Sequence, residues 1–529
     1  MKANFKPEDV EHYECIHATY HRCQNYSCHD LVLVKEHVHL KDGTIVPNVR
    51  MVEDYKRHYW ITRDGFQTHT DKKEWEDVAR LKRSTSTQAN LEANIARALN
   101  KNIKGARLSM LSRSPYLYGS DITSTTLIKH RYMENAPDVT SVSSSAVLDV
   151  ETNTVRKNLT DSDLLIIENI EDKIARQTLE CDRLERQIKE SDGEILLTTK
   201  EKAALQKEHE TIRKSILRKV ESVKEISEQI ISGSLTMGSK AFLAVSKCWL
   251  RKHGDVTGDL QTLFEKYLGK YKKERDITLE VEIVDNDAEI TKALLAKAHE
   301  WKPDFIAIWF INFDIPKLVQ SLQRHGIDPA QVFSDPSVPD NFKSFRYKEA
   351  QQQKTTATGK ITTKHYCDLW HVVHAPASFY FVDAMCLYKL VRVTEPMQPS
   401  YSLDSILGIN LDLGKLRFEE ADQYTGVEWH QVMQTNHQLE YLIYNVFDCI
   451  GVELLEEKNR DLTTLRMLVG HSDLDRFTST PRRLADDLHF VCLEDGKVMG
   501  STSDEMVDEL DKQVVPMTDW MNECHILAA

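Results

Sequence analysis

No stretch of this chain approaches the roughly 18 consecutive apolar residues of a membrane span, and Met1-Lys-Ala-Asn-Phe5 lacks a signal peptide's apolar core. The expectation is a soluble, cytoplasmic protein. No CxxC pair occurs among its ten cysteines, which follow no framework of spacings and fit a reducing compartment. Cys15, His17, His21, Cys23, Cys28 and His29 offer zinc donors near the start, but their spacing matches no standard finger; ordinary surface and core positions explain them as well. Net positive charge is also missing. The formal charge of −14 excludes a chain that coats nucleic acid nonspecifically, though not one with a local groove.

What is present is enough apolar material, 41% of 529 residues, to fill the cores of about three or four domains. Ser145–Thr152 reads as a buried strand ending in two acids. Successive strand side chains alternate between faces, so Asp149 and Glu151 project together while Val150 turns away. Two acids held side by side need a shared proton or a bound divalent cation. Phe305–Ile311 reads as a second buried strand that leads into Asn312-Phe313-Asp314-Ile315-Pro316, placing Asp314 where strand gives way to loop. Leu439, Leu442, Ile443, Val446, Phe447, Ile450 and Leu454 recur at helical spacing, and on that helix Tyr444 and Asp448 form an i, i+4 pair.

Asp149-Val-Glu151, Asn312-Phe313-Asp314 and Tyr444-Asn-Val-Phe-Asp448 resemble, in order, the three proofreading motifs of family-B DNA polymerases in their tyrosine-containing form. Pro399–Asp404, Leu413–Leu416 and Thr435–Gln438 resemble the connecting segments of the T-even-like phage group. The resemblance runs from about Leu31 to Met506, apart from one large insert. It departs in the second motif, where Asn312 directly precedes Phe313 instead of lying about three residues before the aromatic–Asp pair.

The resemblance implies an α/β architecture: a mixed N-terminal domain over residues 1–140, a ribonuclease-H-like (DEDDy) 3′–5′ exonuclease domain over 141–460, and a segment over 461–529 leading toward a palm. Asp149, Glu151, Asp314 and Asp448 are the expected metal ligands, and their hard oxygens suit two Mg²⁺ or Mn²⁺ ions. Tyr444, neutral near pH 7, is expected to orient the attacking water. Asn312 and Phe313 are candidate substrate contacts. Phe313 either packs beneath the site or grips the terminal base.

Outside the motifs, strands are expected at Leu31–Val34, Thr44–Val46 and Tyr59–Thr62, with a turn at Lys41–Gly43. Eight Lys or Arg and one acid between Arg80 and Arg113 form either a phosphate-facing surface or a solvated one. Lys343–Lys364, with six basic residues and one acid, reads as a polar hairpin, and Lys343, Arg346 and Lys348 are its candidate DNA contacts. Residues 161–235 have three-four apolar spacing about a turn near Ser191–Gly193. They predict an inserted antiparallel helical hairpin, each arm roughly 40 Å long. Strands at Lys240–Val245 and Thr278–Val284 are expected to flank that of Asp149, followed by a helix over about 287–300 and a further element at Ala384–Leu390.

Nothing after Asp448 resembles a palm or fingers, and Met506–Ala529 carries an apolar load suited to a partner. The expected function is therefore the proofreading subunit of a split family-B polymerase. It would act on single-stranded DNA 3′ ends beside a separate polymerase chain, and possible further partners are a sliding clamp or other replisome proteins, in host cytoplasm or a viral replication compartment. A stand-alone 3′–5′ exonuclease of repair or recombination, and a non-catalytic replisome assembly module, are the alternatives.

Overall fold

The computed structural model describes residues 5–24, 29–62, 75–137, 141–193, 198–250, 255–355 and 359–500. In the N-terminal part, β1 (Val10–Arg22), β2 (Asp30–Leu40) and β3 (Ile45–Glu53) form an antiparallel sheet, its second turn at the expected Lys41–Gly43. β4 (Arg57–Thr62), β5 (Trp75–Asp77), β6 (Leu81–Ser86), α1 (Leu91–Ala98), α2 (Leu108–Leu111), β7 (Leu117–Tyr118) and α3 (Ser124–Asn135) follow. The strands expected at Leu31, Ile45 and Tyr59 are present in β2, β3 and β4.

The second part begins with β8 (Ser145–Thr152), the two long helices α4 (Asp161–Gly193) and α5 (Thr199–Ser227), and β9 (Ile230–Met237). β10 (Lys240–Ser246), α6 (Val256–Arg275), β11 (Thr278–Val284), α7 (Asp287–Trp301), β12 (Phe305–Ile308), α8 (Ile311–Arg324) and α9 (Pro329–Phe333) come next. Short strands β13 (Arg346–Lys348), β14 (Gln353–Thr355), β15 (Ile361–Thr363) and β16 (Val372–His374) precede β17 (Tyr380–Asp383) and α10 (Ala384–Val391). α11 (Leu403–Leu411), α12 (Gly426–Asn436) and α13 (Gln438–Asn459) complete this part, and α14 (Asp461–Val469), α15 (Thr480–Glu494) and β18 (Lys497–Met499) follow it.

Six strands, in the order β11-β10-β9-β8-β12-β17, make a mixed sheet in which β9 alone runs against the others. The alternation of β8 sorts its side chains between two apolar layers. Ala146, Leu148 and Val150 pack with α7 and α8, and Val147 packs on the opposite face with α6, α10, α11 and α13. Gly233 lets α7 approach β9: a Cβ there would lie 2.5 Å from Leu294 Cδ1 and 3.1 Å from Val150 Cγ1.

Several expectations need correction. Residues 230–235 belong to β9, not to the helical insert, and Ser191–Gly193, where the turn was expected, are the last residues of α4. β9 therefore separates β10 and β11 from the strand of Asp149. The strand at Phe305 stops at Ile308. Helix α8 begins at Ile311, whose N–H donates to Asp383 Oδ2 at 3.1 Å, so Asp314 stands in a helix's first turn and not in a loop. Within the described part of the C-terminal segment, β18 pairs with β5, and a bridge joins Gly500 to Tyr118 of β7. The apolar tail from Met506, like Cys28, lies outside the described residues.

Candidate active site

Asp149 and Glu151 share the face of β8 that meets α13, as their spacing requires, and Asp448 reaches them from α13. Single carboxylate oxygens of these three residues all lie within 4.8 Å of one another. Asp314 lines the same cavity from α8, but it stands outside that tight group. Its Oδ1 accepts the Val150 N–H at 3.1 Å, satisfying a strand donor beyond the end of β12 and tying helix to sheet. The cavity measures about 680 Å³ and is also lined by Trp309, Phe310, Phe313, His430, Tyr441 and Tyr444.

Each acid is held by a partner. Asn445 Nδ2 donates to Asp149 Oδ2 at 2.6 Å, and the Tyr441 hydroxyl donates to Glu151 Oε2 at 2.5 Å. The Lys415 ammonium donates to Asp448 and, at 2.7 Å, to the Tyr444 hydroxyl oxygen. Lys415 sits in the loop after α11, where its backbone N–H donates to Asp404 Oδ1 at 2.7 Å. Gln434 Nε2 donates to the carbonyl of Thr152 at 2.9 Å, fixing the end of β8 against α12.

Burial and the surrounding charges of Asp314, Glu151 and Asp448 raise the Asp149 carboxyl well above the usual range. Burial lifts Glu151 to about 7, against the Tyr441 hydrogen bond, and Asp314 to about 8, against the Val150 N–H. Asp448 is also raised by burial, with Lys415 acting in the opposite direction. Burial and the Asp448 charge push the Tyr444 hydroxyl up, so it is a neutral phenol at physiological pH. Lys415 remains a cation: burial acts against its charge, but the facing acids outweigh it.

These residues fit a divalent cation. The donors are hard oxygens, the carboxyls are too crowded to ionise together unaided, and Asp448 Oδ1 is buried without a hydrogen-bond partner. No other such group of His, Cys, Asp or Glu occurs among the described residues. Cys15, His17 and His21 thus gather no zinc set there: Cys15 is half-buried in β1, and His17 and His21 are buried.

The remaining sequence candidates divide. Phe313 is 39% exposed at the cavity, so it does not pack beneath the site. Asn312 does not line the cavity, and its Oδ1 accepts the Tyr347 hydroxyl at 2.8 Å. Lys343, Arg346 and Lys348 are not brought to the acids either. Lys343 pairs with Asp340 at 2.8 Å, Arg346 lines a different cavity beside His374 and Arg476, and Lys348 is exposed on β13. The polar hairpin itself is present as β14 and β15.

Sequence reasoning assigned no role to Tyr441, Asn445, Gln434 or Lys415. The first two were detectable, because Tyr441, Tyr444, Asn445 and Asp448 form a polar i, i+3, i+4, i+7 stripe on an otherwise apolar helix. Neither the family models nor the curated proteins compared with this chain match it.

Proposed function

We propose that this chain is a metal-dependent 3′–5′ DNA exonuclease with a ribonuclease-H-like catalytic domain, of the proofreading kind found with family-B DNA polymerases. The observation that carries the proposal is the convergence of Asp149, Glu151 and Asp448 within 4.8 Å, with Asp314 and Tyr444 in the same aromatic-rimmed cavity. The mixed sheet with Asp149 on a central strand agrees with that fold.

Asp149, Glu151, Asp314 and Asp448 would hold Mg²⁺ or Mn²⁺, which supplies activated water and stabilises the departing 3′ oxygen. The chain's own groups do the rest. Tyr444 accepts a hydrogen bond from Lys415, which fixes its ring and hydroxyl beside Asp448, and its O–H would turn from Asp448 to the attacking water or a phosphate oxygen to orient it. Lys415 offsets the carboxylate charge that would otherwise repel a phosphodiester. Phe310 and Phe313, both substantially exposed, offer stacking surfaces to unpaired terminal bases.

The resemblance further associates such a nuclease with a polymerase-bearing chain, and affinity purification from the native source tests that association. The nuclease itself is tested with a 5′-labelled single-stranded oligonucleotide and Mg²⁺. Stepwise shortening is expected from the wild type and not from Asp149→Ala/Glu151→Ala; equal shortening by both proteins would refute the proposal.

A further inference from the structure

The long helical insert leaves and re-enters the sheet at the acids. It departs after β8 and returns at β9, and Thr152 pairs with Ile230, so both of its roots stand beside Glu151. The roots are joined to each other: the Asn153 N–H donates to the Gln229 carbonyl at 2.8 Å and its Nδ2 to the Ser227 carbonyl at 3.1 Å. They are also braced from outside. Lys317 pairs with Glu228 at 2.6 Å, Arg324 donates to the Glu225 carbonyl at 2.8 Å, and the Thr154 N–H donates to Gln434 Oε1 at 2.9 Å. Groups on these roots are therefore fixed relative to the carboxylates.

Each root places one cation in the wall of the catalytic cavity, Arg156 before α4 and Lys224 in the last turns of α5. Arg156 is oriented by Glu171, to which its two terminal nitrogens donate at 3.1 and 2.8 Å, leaving three of its five N–H groups for another acceptor. Lys224 has no carboxylate within ion-pair distance among the described residues. Phe310 and Phe313 line the same cavity. It thus combines an acidic floor with stacking surfaces and two rim cations, and rim cations suit backbone phosphates that the acids themselves repel.

We propose that Arg156 and Lys224 bind the phosphates just upstream of the scissile one, so that the roots of the arm position a polynucleotide strand over the acids. The assignment rests on the nuclease reading and adds residues that none of the three motifs contains. It requires the two cations to act on strand binding and not on bond cleavage.

Two measurements separate these effects. Binding of a fluorescent oligo-dT is followed by anisotropy in EDTA across a salt series. Hydrolysis in Mn²⁺ is followed on the same oligonucleotide and on the p-nitrophenyl ester of thymidine 5′-monophosphate, which has no upstream phosphate. For Arg156→Ala/Lys224→Ala, the expected result is about tenfold weaker oligonucleotide binding and a salt slope smaller by about 1.4, since each single-strand phosphate contact contributes about 0.7. KM for the oligonucleotide rises in parallel, kcat and the ester rate stay within about twofold, and Lys224→Arg retains binding. Unchanged binding and salt slope would overturn the proposal, as would equal losses on oligonucleotide and ester. If the wild type hydrolyses neither substrate but the binding difference is found, the nuclease reading fails and the two cations remain a strand-binding pair. If neither activity nor binding is found, both readings fail.

Discussion

Lys415 places its ammonium between Tyr444 and Asp448, where the proposed chemistry needs positive charge before any phosphate arrives. Replacing it with Met removes the donor that fixes the Tyr444 hydroxyl and leaves Asp448 without its partner. Turnover is expected to fall on the order of 10²-fold, with a smaller change in KM, measured on a single-stranded oligonucleotide. The acids themselves set a pH dependence. Burial raises Asp149, and lifts Glu151 to about 7 and Asp314 to about 8, so without divalent cations the folded chain binds more protons than the unfolded one up to that pH. The proton difference between unfolded and folded states is then negative, so stability falls as pH rises from about 5 to about 8. Thermal melts in EDTA should show that decline in the wild type and a shallower one in Asp149→Ala/Glu151→Ala. Asp149, Glu151, Tyr444 and Asp448 were legible in the sequence because strand and helix periods dictate which side chains share a face. Lys415 was not, since a loop has no period and its place depends on the hydrogen bond to Asp404.

Among the elements, β9 shows why the insert's boundary was misread. Ile230 continues the apolar spacing of α5, but β9 is buried along nearly its whole length and pairs on both sides, so its short Ile-Ile-Ser-Gly-Ser run lacks the alternation that marks a half-buried strand. The close approach of α7 to this strand makes Gly233 sensitive to size. Gly233→Val is expected to cost about 1–3 kcal/mol through overpacking against Leu294 and Val150, read from urea unfolding. The arm was easier to read, because α4 and α5 keep their apolar spacing over many turns and pack on each other. Within it, Lys219 and Ser215 donate to Gln177 Oε1 at 2.7 and 3.2 Å, a polar cross-link in the middle of the hairpin. Among the described residues of the arm, only those at the roots line the acidic cavity. Shortening the distal part, residues 182–208, to a tight turn is therefore expected to leave oligonucleotide hydrolysis and binding unchanged; a loss of either would assign a role to the tip.

For the whole molecule, buried polar contacts join the N-terminal strands to the six-stranded sheet and to α14. Lys35 and His37 of β2 reach Asp304 at 3.5 and 3.0 Å, and Glu14 of β1 pairs with Arg466 of α14. Burial alone would raise the Asp304 carboxyl, but the His37 hydrogen bond and the Lys35 charge hold it at about 2. Its contribution to stability is thus present above the ordinary carboxylate range and lost as pH falls from about 4 toward about 2. Asp304→Ala leaves Lys35 buried without its ion-pair partner and is expected to destabilise by about 3–5 kcal/mol in denaturant unfolding at pH 7. Neither this junction nor the β5–β18 pairing was legible, because contacts between residues hundreds of positions apart leave no local pattern.

The central claim is that the four acids form a metal-dependent centre that removes nucleotides from a DNA 3′ end, and the released products test it most directly. Single-stranded DNA is incubated with the purified chain and Mg²⁺, and the products are resolved by chromatography and mass. The account predicts 5′-mononucleotides released in order from the 3′ terminus, abolished by EDTA and absent with Asp149→Ala/Glu151→Ala. Internal fragments, release from the 5′ end, or the same products from the double variant would contradict it.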